Sequence, residues 1–221
     1  MLSNISQTDA LLSFGLAFVG GYGDAASFIL AKTFTGHVTG NLVLAAIAVA
    51  VRDWRAVLGH LSAIVTFLIG IFLSVLIVRP LKAWAVLPTI MGIEVILIIA
   101  ASLALSSGVA HGVEIFVIFV SLALGLQNGA FRRAGGISVH TTYLTGMITS
   151  LISTEAEQFA SEVVAPVVST PDPKISLLSG VWIAFVLGAG TGAAMVLHFG
   201  ALGMLGAALL LIALALREVR S

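Results

Sequence analysis

The chain has 221 residues, of which 59% are hydrophobic and only 9% are charged. Soluble domains carry about 25% charged residues, so this composition predicts an all-α polytopic membrane protein instead of a soluble one. Ten basic residues balance ten acidic ones, which excludes nucleic-acid binding driven by a basic surface. The absence of cysteine excludes a disulfide scaffold, a thiolate metal site and a catalytic thiol.

Taken in chain order, the hydrophobic runs fall into two length classes, because a helix needs roughly 20 apolar residues to cross a bilayer. Six runs are long enough, near 11–31, 57–78, 86–106, 114–131, 176–197 and 200–216. Two shorter stretches, about 39–51 and 142–153, begin with Thr-rich, Gly-containing sequence. About 12 residues are too few to cross a ~30 Å hydrocarbon core as a helix alone. The sequence therefore predicts about six full transmembrane helices plus two short helices that are broken or re-entrant.

Three short motifs recur in the same order in the two halves of the chain. They are Gly-x-x-[Asp/Asn]-x-Ala at 21–26 and 125–130, Thr-x-x-x-Thr-Gly at 35–40 and 141–146, and Phe-x-x-Gly at 67–70 and 185–188. Transporters are often built from duplicated halves of this kind. We therefore expect one integral membrane domain, residues 1–221, composed of a first repeat at about 9–107 and a second at about 113–217.

The two short helices leave two topologies open. If both cross the membrane, the chain has eight spans in parallel halves, and the loop Lys and Arg residues divide five to five. If both are re-entrant, six spans remain and the halves are inverted. Seven cations then share the side of both termini (Arg79, Lys82, Arg132, Arg133, Lys174, Arg217 and Arg220), and three lie opposite (Lys32, Arg52 and Arg55). The positive-inside rule favours the inverted arrangement with cytoplasmic N- and C-termini.

Two stretches of the first half are similar to the signature of a known family. Residues 21–28 (GYGDAASF) and 36–41 (GHVTGN) resemble the YoaK-type family of bacterial multi-pass membrane proteins, which is grouped under a domain of unknown function. Residues 125–128 (GLQN) and 145–146 (TG) resemble that family's second landmark. The resemblance covers essentially the whole chain. It implies a bacterial inner-membrane protein of about six spans, and it implies no particular substrate.

Two acidic residues fall inside predicted membrane helices. Asp24 ends a glycine-rich stretch that is expected to weaken the first helix, and Glu94 lies in an otherwise apolar helix. An ionised Asp at the centre of a membrane helix costs roughly 2.5–3.5 kcal/mol, so each acid should face protein or a wet cavity. Asp24 is either a proton- or cation-linked carboxylate beside a broken helix, or a carboxylate that bonds neighbouring backbone and holds two helices together. Glu94 is either a proton relay or counter-charge, or a carboxyl kept neutral.

The polar starts of the two short helices form the predicted solute site. If each short helix begins within the membrane, its free N–H groups and positive dipole end point towards the midplane. Thr39 or Thr145 is then expected to cap that end. The predicted solute-binding residues are Thr35, His37, Thr39, Gly40, Asn41, Asn128, Thr141, Tyr143, Thr145 and Gly146. Alternatively, the threonines are ordinary N-caps of helices at the membrane interface.

These features favour a small secondary transporter that uses no cofactor. Asp24 and Glu94 would couple protons, and two helix N-termini favour a small anionic or carboxylate-bearing solute, although His37 and Asp24 would also suit a cation. The alternatives are a passive channel lined by the same residues and a non-transporting accessory or assembly protein. No nucleotide-binding loop, nucleophile elbow or paired-His motif is present, so neither an enzyme nor a metal site is expected. The expected partners are a small solute or ion, the lipid bilayer and, for so small a chain, a second copy in a homodimer.

Overall fold

The computed structural model describes residues 7–131, 133–134, 137–138, 146, 148–149, 151–154, 156 and 173–220. The first five helices are α1 (Gln7–Ala31), α2 (Val38–Ala50), α3 (Trp54–Val78), α4 (Ala83–Ser106) and α5 (Gly112–Ala130). Two-residue strands, β1 (Arg133–Ala134) and β2 (Ile137–Ser138), then pair antiparallel. The chain continues in α6 (Pro173–Phe199), a 3-10 helix (Gly200–Met204) and α7 (Leu205–Arg220).

The long helices confirm the prediction of a polytopic membrane protein. In the described part of the chain, five stretches are long and apolar enough to cross a bilayer, and the last, Ile175–Val219, has 45 residues. That stretch comprises α6, the 3-10 helix and α7, which match the last two predicted runs. The first predicted short stretch is α2, with 13 residues. Of the second, the described positions 146, 148–149 and 151–154 are helical.

The distribution of side chains is that of a protein surrounded by lipid. Large apolar residues cover the outside of the helices; Leu58, Ile96 and Leu209 are each more than 65% exposed. Two carboxylates, Asp24 and Glu94, are buried in the interior instead. Apolar patches this extensive mark surfaces that contact lipid or protein instead of water, so the buried polar groups are the features that need a further explanation.

Glycines allow α1 and α6 to approach so closely that their backbones touch. Gly188 lies against the backbone of Phe18, and Gly192 lies against that of Tyr22. The residue numbers rise together along both helices, so α1 and α6 run parallel. A Cβ atom at Gly188 would lie 2.7 Å from the carbonyl carbon of Phe18, which is too close for any residue except glycine.

A similar crossing joins α3 and α5. Gly125 lies against the backbone of Phe67 and Gly70, and Gly129 lies against Ser74. These two helices therefore also run parallel to each other. Small residues at such crossings are the usual means by which membrane helices gain close van der Waals packing.

The α1 helix runs antiparallel to α5. Leu124 is the neighbour of Gly23, whereas the Gln127 amide donates to the carbonyl of Leu16 at 3.1 Å. Since α3 is parallel to α5, α1 is also antiparallel to α3. The end of α1 and the beginning of α3 therefore lie at the same end of the helix bundle, with α2 between them in the chain.

The chain reverses direction between α6 and α7. Gly200 has a φ of +58°, a left-handed conformation that glycine adopts without steric cost. The Tyr22 hydroxyl donates to the carbonyl of Gly203 in the turn, and Leu214 packs against Gly15. These contacts place α7 antiparallel to α1 and fix the turn to the centre of α1.

Candidate functional site

The Asp24 carboxylate is buried and is enclosed by the segment that precedes α2. The residue is 3% exposed. Its Oδ1 atom accepts hydrogen bonds from the backbone N–H groups of Thr35 at 2.9 Å and Gly36 at 2.6 Å. Its Oδ2 atom lies 2.5 Å from Nδ1 of His37. Three donors on consecutive residues therefore converge on one carboxylate.

This convergence arises because residues 32–37 fold back along α1. Lys32 has a φ of 56°, and this left-handed residue turns the chain sharply where α1 ends at Ala31. Asp24 lies seven residues earlier in the helix, about 10 Å along its axis at 1.5 Å per residue. The first residue of α2, Val38, therefore lies beside the interior of α1 and not beyond its end.

A second set of contacts fixes the conformation of this loop. The Asn41 amide accepts from the Phe34 N–H at 3.1 Å and donates to the Phe34 carbonyl at 2.6 Å. The Phe34 ring stacks on Phe28 with a centroid separation of 4.6 Å. The Thr35 hydroxyl donates to Ser27 at 3.1 Å. The first turn of α2 and the last turns of α1 thus hold the loop from both sides.

His37 is the charged partner of Asp24 when it is protonated. The hydrogen bond with the Asp24 carboxylate raises the pKa of His37 above its ordinary value of 6.5, burial acts in the opposite direction, and the attraction between the charges adds to the increase. The imidazole side chain is 32% exposed, and it packs edge-on to Phe185 of α6 with a centroid separation of 5.9 Å. The pair therefore links α1, α2 and α6.

Two expectations about local structure are wrong. The residue that precedes α2 as its N-cap is His37, and no side chain makes a capping hydrogen bond there, so Thr39 does not cap this helix. Thr39 is instead exposed. The glycines around Asp24 do not break α1, which is one continuous helix of 25 residues; they serve close packing, as at Gly21 beside the Phe185 backbone.

The predicted residues of the first half differ in how they relate to Asp24. Thr35 and His37 contact its carboxylate directly. Asn41 is 2% exposed, and its amide is engaged with the loop backbone. Gly40 packs against Phe34, whose ring carbon would lie 3.2 Å from a Cβ at this position.

Glu94 lies on α4, apart from the Asp24 cluster. Its side chain is 0% exposed, and neither carboxylate oxygen has a hydrogen-bond partner among the described residues. A buried and unbonded polar group is costly in a folded protein, and an ionisable residue inside a membrane segment is a candidate for function. Glu94 therefore remains a candidate proton site.

The predicted residues of the second half are only partly described. Asn128 is 8% exposed, and its amide donates to the Leu124 carbonyl of its own helix at 2.9 Å. Gly146 is helical. The predictions for Thr141, Tyr143 and Thr145 lie outside the described residues.

Sequence reasoning did not find the backbone donors of the site. The N–H groups of Thr35 and Gly36 bind Asp24, and a backbone donor leaves no signature in residue type. Ser27 and Phe28, which hold the loop, are one helical turn beyond Asp24. They follow Asp24 by three and four residues, and this spacing is the sequence signal that all three share one face of α1.

The fold and this site define a multi-pass α-helical membrane protein in which a buried Asp24 carboxylate pairs with the partly exposed His37 between the first two helices. The chain belongs to the family described as protein of unknown function (DUF1275), whose model matches residues 12–217. It is also similar to UPF0700 transmembrane protein YoaK of Bacillus subtilis (strain 168), with 29% identity over 127 residues. That match covers 56% of this chain and 56% of the relative, so it spans little more than half of the relative's length. No solved structure gives a significant match.

Proposed function

We propose that the protein is a secondary transporter of the bacterial inner membrane that moves a small carboxylate-bearing solute together with a proton. The observation that carries this proposal is the enclosure of the Asp24 carboxylate by two backbone N–H groups and the His37 imidazole. This donor set suits any carboxylate, and it lies at the N-terminus of α2, where the helix dipole also favours negative charge. The proposal requires no cofactor and no catalytic step.

The proposed topology is re-entrant at α2. Helix α1 ends and α3 begins at the same end of the bundle, so α2 makes no net crossing between them. Thirteen residues give a helix of about 20 Å, which suits a segment that starts beside Asp24 and returns to the surface at Trp54. With both short helices re-entrant, the seven-to-three division of loop cations supports cytoplasmic N- and C-termini.

The proposed halves are inverted repeats. The first helix of each half crosses the third helix of the other half: Gly21 meets Phe185 in one crossing, and Gly125 meets Phe67 in the other. These residues occupy equivalent positions of the sequence motifs. Helices α1 and α5, which start the two repeats, run antiparallel, as an inverted duplication requires.

The proposed coupling is a competition between two carboxylates for one set of donors. While Asp24 is ionised, it occupies the N–H groups of Thr35 and Gly36 and the imidazole of His37. Protonation of Asp24 removes its charge and weakens these hydrogen bonds, which are strong because the acceptor is ionised. The solute carboxylate then takes the vacated donors, so one proton and one carboxylate move together.

Glu94 is proposed as a second proton site in this cycle. It lies on α4, and its carboxyl group lacks a hydrogen-bond partner in the described part of the chain. A proton can therefore be held there without an opposing cation. This role is subordinate to that of Asp24, since the solute donors are all on the α2 side.

Flux measurements in proteoliposomes test the proposal. A panel of radiolabelled, membrane-impermeant carboxylates, beginning with succinate, is offered to the liposomes. We expect uptake of at least one of them to saturate with concentration and to be driven by an inward proton gradient. Because Asn cannot be ionised, Asp24→Asn should abolish proton-driven uptake. Asp9→Asn is the matched control, because it makes the same substitution in the first turn of α1, away from the Asp24 site. This variant should retain uptake.

Two other results would contradict the proposal of a proton-coupled carrier. Non-saturating flux that ignores the proton gradient would identify a channel lined by the same residues. No flux for any carboxylate in the panel, with normal folding in detergent, would reject the transport proposal.

A non-transporting assembly role is the second candidate, and one observation favours it. All three donors to Asp24 come from the chain itself, as expected for a carboxylate that latches a loop to a helix. In that case Asp24→Asn would lower the melting temperature and the amount of membrane-inserted protein. Wild-type liposomes would show no carboxylate flux.

A further inference from the structure

The hydroxyl group of Ser121 on α5 is buried without a hydrogen-bond partner. The residue is 0% exposed, and its Oγ atom makes no hydrogen bond to any residue that the structure describes. Ser102 on α4 is equally buried, but its hydroxyl donates to the Ile98 carbonyl of its own helix at 2.8 Å. Buried polar atoms are normally hydrogen-bonded, so the unused hydroxyl of Ser121 indicates a group that binds there.

Two helix contacts determine the direction in which Ser121 faces. Gly125 packs against the backbone of α3, and Leu124 packs against Gly23 of α1. Ser121 precedes Gly125 by four residues and Leu124 by three, so it lies on the face of α5 between these two contacts. Because α1 and α5 run antiparallel, Ser121 is also within one helical turn of Asp24 along the bundle axis.

Polar contacts lead from the Asp24 carboxylate towards the same face of α5. The backbone N–H of Thr35 binds Asp24 at 2.9 Å, and the Thr35 hydroxyl donates to Ser27 at 3.1 Å. Ser27 is 0% exposed and follows Gly23 by one helical turn, so it lies on the side of α1 that faces α5. Ser27 and Ser121 thus present buried hydroxyl groups from the two halves of the chain, close to the level of the carboxylate.

We propose that Ser121 binds the solute from the second half of the chain, and that the solute carries a hydroxyl group in addition to its carboxylate. This inference rests on the proposed function, because the carboxylate would occupy the donors that Asp24 releases. A second carboxylate would fit poorly, since a buried charge requires a paired charge and Ser121 offers only a hydroxyl. A contribution from each half also suits a site at the interface between repeats.

Pairs of acids that differ by one hydroxyl group test this specificity. Lactate is compared with propionate, and 3-hydroxybutyrate with butyrate, through the concentration dependence of the melting temperature in detergent. For at least one pair, we expect the hydroxy acid to bind about tenfold more tightly, as one additional hydrogen bond would provide. In Ser121→Ala, the hydroxy acid should bind no better than its analogue, and the affinity for the analogue should be unchanged. A merely structural role of Ser121 would lower both affinities alike.

Ser102→Ala is the matched control, because it removes an equally buried hydroxyl that is satisfied within its own helix. This variant should keep the preference for the hydroxy acid. Equal affinities within both pairs, or a preference that persists in Ser121→Ala, would overturn the role of Ser121 and leave the carboxylate site intact. Binding of none of the four acids would reject the carboxylate site of the proposed transporter, and the inference about Ser121 with it.

Discussion

At the scale of single residues, the contact between Asp24 and His37 dominates the energetics of the site. Two charges taken out of water lose hydration, and their attraction compensates only if their remaining hydrogen-bonding atoms are also satisfied. Here the carboxylate oxygen that does not contact His37, Oδ1, accepts hydrogen bonds from two backbone N–H groups. Removal of His37 would leave the buried Asp24 charge with only its two backbone donors, but because the His37 side chain is 32% exposed, the cost should lie below the value of about 3–5 kcal/mol for a fully buried pair. The pair is therefore a sensitive point for both stability and protonation.

The raised pKa of His37 predicts a specific pH dependence of stability. A group whose pKa is higher in the folded chain than its ordinary 6.5 contributes stability that is complete below that value. The contribution is lost as the pH rises through the folded-state pKa. We expect the melting temperature of the wild type in detergent to fall as the pH is raised above 6.5. In His37→Gln this fall should be smaller.

Two variants control this measurement. Asp24→Asn removes the cause of the raised pKa and should flatten the profile in the same way. His198→Gln alters an exposed histidine and should keep the wild-type profile. Parallel profiles of wild type and His37→Gln would show that the ion pair does not link protonation to folding.

At the scale of elements, the helix crossings predict opposite effects for two glycines of α6. A Cβ at Gly188 would meet the Phe18 backbone, with its carbonyl carbon at 2.7 Å, whereas nothing lies within 4 Å of a Cβ at Gly190. Gly188→Ala must separate α1 from α6 and is expected to cost about 1–3 kcal/mol. Gly190→Ala removes a poor helix former and is expected to gain up to about 1 kcal/mol.

Thermal melts of the two variants check this prediction, because each is the other's control for an added methyl group on the same helix. Equal melting temperatures would mean that the helices do not approach at Gly188 as described.

The elements also show which features a single sequence can and cannot predict. The lengths of the hydrophobic stretches predicted the long helices and the short α2, because the hydrocarbon thickness sets the minimum length of a spanning helix. The prediction that Thr39 caps α2 failed because His37, two residues earlier, occupies the N-cap position, so Thr39 lies within the first turn of the helix. The bonds from Asn41 to both backbone groups of Phe34 could not be predicted, since they depend on the direction in which the loop folds back.

The same limit applies to the site as a whole. Asp24 and His37 were each identified as candidates from the cost of a charge within the membrane and from their motifs. Their direct contact was not, because thirteen residues separate them in the chain. The left-handed turn at Lys32, which brings them together, has no strong sequence signal in a residue other than glycine or asparagine.

At the scale of the whole molecule, cysteine labelling decides the proposed topology, because the chain contains no cysteine of its own. Single substitutions Lys32→Cys and Arg52→Cys flank α2. If α2 is re-entrant, both should react from the same side of the membrane with an impermeant maleimide. If α2 crosses, they should react from opposite sides. The pair therefore separates the two topologies, whereas either residue alone does not.

Arg79→Cys, beyond the far end of α3, provides the reference for sidedness. With cytoplasmic termini, Lys32→Cys and Arg52→Cys should be labelled in intact cells, and Arg79→Cys only after permeabilisation. The physical reason is that α3 alone separates Arg52 from Arg79, and its 25 residues span more than the ~30 Å core at 1.5 Å per residue. Labelling of Lys32→Cys and Arg52→Cys from opposite sides would remove the convergence of α2 on Asp24, and with it the competition between carboxylates on which proton coupling is proposed to depend.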